Sequence, residues 1–227
     1  MMYFRHSFRM MFHIHKAKVL KNKGQNTIWI NDLSTAYLFT YFYSGLAFNM
    51  IYHTSGDNLA PFKIEYKLQN NSFIYNLLKK FETRINKKAS RICFVSESSL
   101  INFNKKSELK YKEKSFFVHN GLHSNKNLIK NTNDSNLLNI ICVGSLSKRK
   151  GQEVIIDALN KLRNYNINLY LLGDGLISNY LKNKCFKLGL NNVNFCGNIK
   201  NVNEFLIKSD LMILMSEDEG LPYSLIE

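Results

Sequence analysis

The chain has 227 residues, with 31 Lys and Arg against 17 Asp and Glu and a formal net charge of +14. That length buries one large core or two small ones. Its four cysteines, Cys93, Cys142, Cys185 and Cys196, are widely spaced and form no Cys-x-x-Cys, which argues against a disulfide framework or a zinc site and for small buried apolar residues in a reducing compartment. The positive charge suits nucleic acid, an anionic membrane surface or an anionic substrate. The basic residues are scattered, however, in clusters at 5–23, 79–91, 105–114 and 148–150, with no zinc-finger or RNA-binding signature and no interleaved aromatic motif. Nucleic acid is therefore not expected as a partner.

The amino end scatters charges and histidines among apolar residues and lacks a small-residue cleavage site, so a secretory signal is not expected in it. His13 and His15 lie two apart with no third ligand nearby, and no metal site is expected there. Residues 33–52 hold no charge over twenty positions, long enough to span hydrocarbon. Ser34, Thr35, Thr40, Ser44, Gly45 and Asn49 interrupt the run, and Ser44-Gly45 suits a turn. A buried helix over 33–43 followed by a strand over 46–52 is expected. That strand ends at Tyr52-His53-Thr54-Ser55-Gly56. A lone histidine at a strand end is commonly a structural hydrogen-bonder. Its neutral imidazole is also suited to bind a hydroxyl or assist as charge builds, because its pKa lies near working pH.

Phe73, Ile74, Leu77, Leu78, Phe81 and Ile85 recur at helical spacing and predict one apolar face. Residues 91–95 read as a strand leading into Ser96, a good helix cap. A further strand over 116–118 runs to His119-Asn120-Gly121. The stretch 122–136 is polar and rich in Asn and Ser, as a linker is. The expected division is thus 1–121, a linker 122–136, and 137–227.

The second half opens with a strand over 140–143 that runs into Gly144, a short basic loop Ser145-Leu146-Ser147-Lys148-Arg149-Lys150, and Gly151. Val154, Ile155, Ala158, Leu159 and Leu162 then repeat at helical spacing. A strand, a glycine loop and a helix start make a phosphate cradle, since backbone amides and the positive helix end favour an anion and the lysines add charge. The beat continues: strand 167–172, the turn Gly173-Asp174-Gly175, a helix bearing Ile177, Tyr180, Leu181, Cys185 and Leu188, strand 193–196 closed by Gly197, a short helix at Val202, Phe205 and Leu206, and strand 211–215. Strands alternating with helices imply βαβ units and a parallel sheet, whose ligands bind outside the carboxyl ends of the strands. Asp174 also suits a turn for purely local reasons. After the last strand, Glu219 and Glu227 stand eight positions apart around Gly220-Leu221-Pro222. Pro222 fits the first position of a helix, and Gly220 lets the backbone come close to a ligand.

These motifs together resemble retaining glycosyltransferases of family 4, which have two Rossmann-like domains in the GT-B arrangement. Residues 144–151 are similar to the family's Gly-Arg-Leu-x-x-x-Lys-Gly donor-diphosphate loop, with Lys150 on the lysine position and Ser145 where the family has arginine. Glu219 and Glu227 match its Glu-x7-Glu donor site, Gly173-Asp174-Gly175 its Gly-Asp-Gly, and Gly197 with Asn198 and Ile199 its base-contacting loop. Tyr52-His53-Thr54 resembles an aromatic-His-Thr step, and His119-Asn120-Gly121 a Pro-Asn-Gly with histidine in the proline's place.

The resemblance implies an α/β chain of two Rossmann-like domains with parallel sheets, both incomplete, as in the middle of a longer enzyme. It implies His53 and Glu219 as catalytic residues. Gly144, Ser145, Lys150, Gly173, Asn198, Ile199, Gly220, Leu221, Pro222, Ser224, Leu225 and Glu227 would bind the donor. The implied activity is hexosyl transfer from a UDP- or GDP-sugar to a lipid-linked or polysaccharide acceptor of the cell surface, such as lipopolysaccharide. No metal or other cofactor is implied, because cradle amides and lysine neutralise the diphosphate. The implied place is the cytoplasm, with peripheral contact at the inner membrane through the basic surface. The competing expectation is an inactive fragment that only binds nucleotide or does nothing. A dinucleotide-dependent oxidoreductase ranks far behind, since no Gly-x-Gly-x-x-Gly follows an early strand.

Overall fold

The computed structural model describes residues 27–70, 72–121 and 136–226. His13, His15, the basic cluster 5–23, most of the expected linker and Glu227 lie outside the described residues. Cα proximity divides the chain into two units, Met1–Asn120 with Glu219–Leu221, and Gly121–Asp218 with Pro222–Glu227.

The first unit runs β1 (Trp29–Ile30), α1 (Leu33–Phe42), β2 (Asn49–Tyr52), α2 (Ala60–Tyr66), α3 (Phe73–Lys88), β3 (Arg91–Phe94), α4 (Glu97–Lys106) and β4 (Ser115–Phe117). Its strands form one parallel sheet in the order β1-β2-β3-β4, with Met50 opposite Ile92 and Cys93 opposite Phe116. Met50, Ile92 and Phe94 are fully buried, as expected of a parallel sheet covered on both faces. Three helices start on side-chain caps. The Asp32 carboxylate accepts the Thr35 amide at 2.6 Å, Ser72 Oγ accepts that of Tyr75 and Ser96 Oγ that of Ser99, both at 3.2 Å.

The uncharged run 33–52 is α1, a turn and β2, and no helix among the described residues is long and apolar enough to cross a membrane. The strand begins at Asn49, later than expected, because pairing starts only where Asn49 N reaches Ile28 O at 2.8 Å. The apolar face of α3 also differs from expectation. Phe73, Ile74 and Leu77 are 81%, 55% and 39% exposed, whereas Ile85 is fully buried. The partner decides which part of the stripe is covered: Phe81 stacks on Tyr37 of α1 at 3.6 Å, and the Arg84 Nε donates to Thr40 Oγ1 at 2.9 Å.

The second unit runs β5 (Leu138–Val143), a 3-10 turn (Lys148–Lys150), α5 (Gln152–Lys161), β6 (Ile167–Leu172), α6 (Ser178–Leu188), β7 (Val193–Gly197), α7 (Asn203–Lys208), β8 (Leu211–Met212) and α8 (Tyr223–Ile226). Its sheet is parallel, ordered β7-β6-β5-β8. The core gathers Ile140, Cys142, Ile155, Ile156, Leu159, Leu169, Leu171 and Leu181. On α5 the buried stripe is Gln152, Ile155, Ile156 and Leu159, so Val154, Ala158 and Leu162 of the expected face are exposed. The last strand pairs only at Leu211 and Met212, shorter than the apolar run 211–215. Beyond Ile213, whose amide still bonds Ile141 O, the chain turns to meet the Lys148–Lys150 turn, where Glu217 N bonds Arg149 O at 2.9 Å.

Because only part of α3 has a partner, Ile85→Ala should cost about 2–5 kcal/mol of unfolding free energy by cavity formation. Phe73→Ser should change it by less than about 0.5 kcal/mol. Chemical denaturation of both variants checks the assignment, and a large loss from Phe73→Ser would refute it.

Candidate functional site

Ligands of parallel sheets gather at the carboxyl ends of the strands. In the second unit β5 ends at Val143 and passes through Gly144, Ser145 and Leu146 into the 3-10 turn, then Gly151 and α5. The Lys150 side chain folds back over the strand end, its Nζ 3.9 Å from where a Cβ on Gly144 would lie. The start of α5 brings the positive end of a helix to the same loop, so an anion there would face both a helix end and an ammonium.

The two other expected groups of this loop have different fates. Ser145 is exposed, and its carbonyl accepts from the Gln152 side chain at 3.0 Å. Arg149 donates from Nη1 to the Asp218 carbonyl at 2.5 Å, so it braces the segment before Glu219. Gln152, only 1% exposed, is a residue that sequence reasoning missed. Its Nε2 ties the loop to the helix while its Oε1 is buried without a hydrogen-bond partner. A glutamine at a helix start carries no motif; only its burial marks it.

The β6 loop lies directly against the β5 loop. Leu146 N bonds Asp174 O at 3.1 Å, and a Cβ on Gly173, whose φ is +133°, would fall 2.1 Å from Gly144 O. Asp174 acts as a turn residue, its Oδ1 accepting the Gly175 amide at 2.8 Å. Beside these loops is a cavity of about 400 Å³ lined by Gly173, Gly197, Ser178, Asn179, Lys182 and Phe195, among others. Lys182 lies over the Phe195 ring, 5.7 Å from its centroid. Asn198 is exposed and Ile199 half-buried, and neither lines that cavity. Sequence periodicity marked α6 only by its apolar face, so Asn179 and Lys182 passed unnoticed.

Pro222 immediately precedes α8, with Leu225 N on Pro222 O at 3.1 Å, while Ser224 is half-buried and Leu225 exposed. Glu219, half-buried, and Leu221 group with the first unit together with Gly220. Within that unit a Cβ on Gly220 would lie 2.8 Å from the carbonyl oxygens of His53 and Thr54. The structure therefore brings Gly220 to the His53 backbone. His53 itself is exposed, yet the protein crowding its ring holds the imidazole below its ordinary pKa by burial. The cysteines are free and three are buried; burial pushes the Cys142 thiol up to about 11, which keeps it protonated. Among the described residues, no three His, Cys, Asp or Glu side chains group as metal ligands.

Residues 124–227 match the family described as Glycosyl transferases group 1. An uncharacterized glycosyltransferase, MJ1059 of Methanocaldococcus jannaschii, is 38% identical over 90 residues, covering 38% of this chain and 22% of that protein. The structure is similar to Anabaena Alr3699/HepE in complex with UDP and glucose, with a TM-score of 0.66 and 22% identity over 92% of this chain and 58% of that one. It is also similar to the lipopolysaccharide outer core galactosyltransferase WaaB, with a TM-score of 0.56 and 16% identity over 96% and 58% of the two chains. The chain thus spans under a quarter of the curated relative and just over half of these solved structures. The α/β architecture with two parallel sheets is that of GT-B glycosyltransferases.

Gly151 closes the basic turn at φ +68°, and a Cβ there would fall 2.1 Å from Met215 O. Gly151→Ala should therefore cost more than the roughly 1–2 kcal/mol of left-handed strain alone, because the 215–218 backbone has to move as well. Thermal melting and amide exchange at Glu217 check this, and a variant as stable as the parent would refute the packing.

Proposed function

We propose that this chain is part of a retaining glycosyltransferase of family 4 that moves a hexose from a nucleotide diphosphate to a polysaccharide or glycolipid acceptor in cell-surface glycan synthesis. The observation that carries the proposal is the Lys150 ammonium held over Gly144 at the end of β5, beside the amides that open α5. In transfer, the bond from sugar C1 to the diphosphate oxygen breaks while the acceptor oxygen bonds C1, and the acceptor's proton passes to the departing diphosphate on the same face. Negative charge grows on the diphosphate, where fixed amides and Lys150 stabilise it without reorganisation. That is the task a divalent ion performs elsewhere, so the proposed reaction needs no metal.

Glu219 is proposed to meet the sugar and Glu227 the ribose, with Gly144, Ser145, Gly173, Asn198, Ile199, Gly220, Leu221, Pro222, Ser224 and Leu225 around the donor. His53, neutral near pH 7, would hydrogen-bond a sugar hydroxyl. The UDP and glucose in the HepE complex and the lipopolysaccharide substrate of WaaB support a UDP- or GDP-sugar donor and a glycolipid or polysaccharide acceptor. A peripheral contact with the cytoplasmic face of the inner membrane is part of the proposal. The net charge of +14 and the exposed Phe73, Ile74 and Leu77 beside Lys79 and Lys80 of α3 support it.

Titration calorimetry with UDP and GDP tests the diphosphate assignment. Lys150→Ala should weaken binding of the preferred nucleotide by about 1.5–3 kcal/mol, the scale of a charged hydrogen bond, and an unchanged affinity would remove the support for this site. Glu219→Gln should slow transfer while leaving free nucleotide binding nearly intact, since a carboxylate facing the sugar makes no contact with UDP alone.

A further inference from the structure

We infer that Asn58 and Glu82 are positioning residues that fix His53 by a hydrogen-bond chain through Thr54. The inference rests on the role proposed for His53. Thr54 Oγ1 donates to Asn58 Oδ1 at 2.8 Å, and Asn58 Nδ2 donates to Glu82 Oε1 at 2.7 Å. Asn58 is 4% exposed, so its amide has exchanged water for these two partners. Glu82 belongs to α3, and α4 holds the same loop from another side: Asn102 Nδ2 donates to Ser55 O at 3.0 Å, and Gly56 packs so closely that a Cβ there would lie 2.4 Å from Ser99 O. The loop is therefore tied at Thr54, Ser55, Gly56 and Asn58, and His53 projects from its fixed end.

The polar chain is not what stability alone would select. Burial raises the Glu82 carboxyl above the usual carboxylate range, and the Asn58 hydrogen bond offsets only part of that. A half-buried carboxyl bonded to one amide is costly, and an apolar side chain of similar size would pack there without that cost. What the pair supplies is direction. Behind the loop lies a cavity of about 370 Å³ lined by Gly56, Asp57, Asn58, Glu82 and Asn86, among others, so the loop has room to retreat. The Asn58–Glu82 bond opposes that retreat. A displacement of about 1 Å at a reacting group costs on the order of a hundredfold in rate, and a supporting shell of this kind prevents it.

The test uses the full chain, NMR titration of the His53 imidazole, and turnover on the best substrate from a panel of UDP- and GDP-hexoses. Asn58→Ala and Glu82→Ala should lower kcat about ten- to a hundredfold, with KM for the nucleotide sugar changed less than about twofold. Both should move the His53 titration midpoint up toward the ordinary value of 6.5 as the ring gains solvent. Glu82→Gln keeps an acceptor oxygen and should restore most of what Glu82→Ala loses. Arg84→Ala severs the α3 contact with Thr40 and should lower the melting temperature without moving the His53 titration. Thr54→Val removes only a hydroxyl, so it carries the same expectation as Asn58→Ala should that variant not fold. Turnover within about twofold of the parent, with an unmoved His53 titration in Asn58→Ala, Glu82→Ala and Thr54→Val, would overturn the inference. If the parent chain binds neither UDP nor GDP, the proposed function fails; if it transfers no sugar from any donor, the His53 titration alone decides the positioning.

Discussion

At the carboxyl ends of β5 and β6 two backbones touch with no side chain between them. Gly144 N bonds Leu172 O at 2.9 Å and Leu146 N bonds Asp174 O at 3.1 Å, while any Cβ on Gly173 or Gly175 would fall within 2.3 Å of a carbonyl oxygen of the other loop. The rest of the second unit's site depends on this contact. It sets the depth of the β5 loop, which in turn decides where the basic turn begins and leaves Gly144 open for the Lys150 side chain. It also shapes one wall of the neighbouring cavity, where Leu146 meets Gly173 and Gly175.

The cations of the basic turn divide between chemistry and structure. Lys150 folds over the strand end, and Arg149 spends its guanidinium on the Asp218 carbonyl while its own carbonyl accepts the Glu217 amide. A planar guanidinium with several fixed donors suits such a brace, and a compact ammonium on a flexible stem suits a mobile anion. Ser145, standing where the resembling family has arginine, uses its carbonyl to hold Gln152.

The first unit stabilises its strand-end loop differently. Where the second unit relies mainly on glycine and close backbone contact, the segment after β2 adds to the close packing of Gly56 a set of side-chain hydrogen bonds, among them ones to α3 and α4. Such bonds are directional and break when a single partner is removed. They suit a loop that holds one residue in a fixed direction, as inferred for His53, more than one that presents backbone amides.

Much of this was determined by the amino-acid order alone. Short apolar runs closed by glycine and separated by helical spacing specify parallel βαβ units, because period and chain connectivity are local properties. The Gly144–Gly151 loop, the Gly173 turn and the cap at Ser96 were legible for the same reason: each needs only neighbours in sequence. Tertiary structure decided the rest. Helical periodicity names one apolar face on α3 and one on α5, and only the partner element selects Ile85 over Phe73, or Ile156 over Val154. The strand at Leu211 stops early because its neighbour in space, not in sequence, bends it away. Gln152, Asn58 and Glu82 carry no motif, and the brace by Arg149 is not written in its loop: Arg149 finds its partner 69 positions away, Gln152 7 away, and Asn58 and Glu82 each other 24 apart, all brought within hydrogen-bond reach by folding. A polar side chain's role depends on what replaces its water, and that is fixed only when the chain has closed around it.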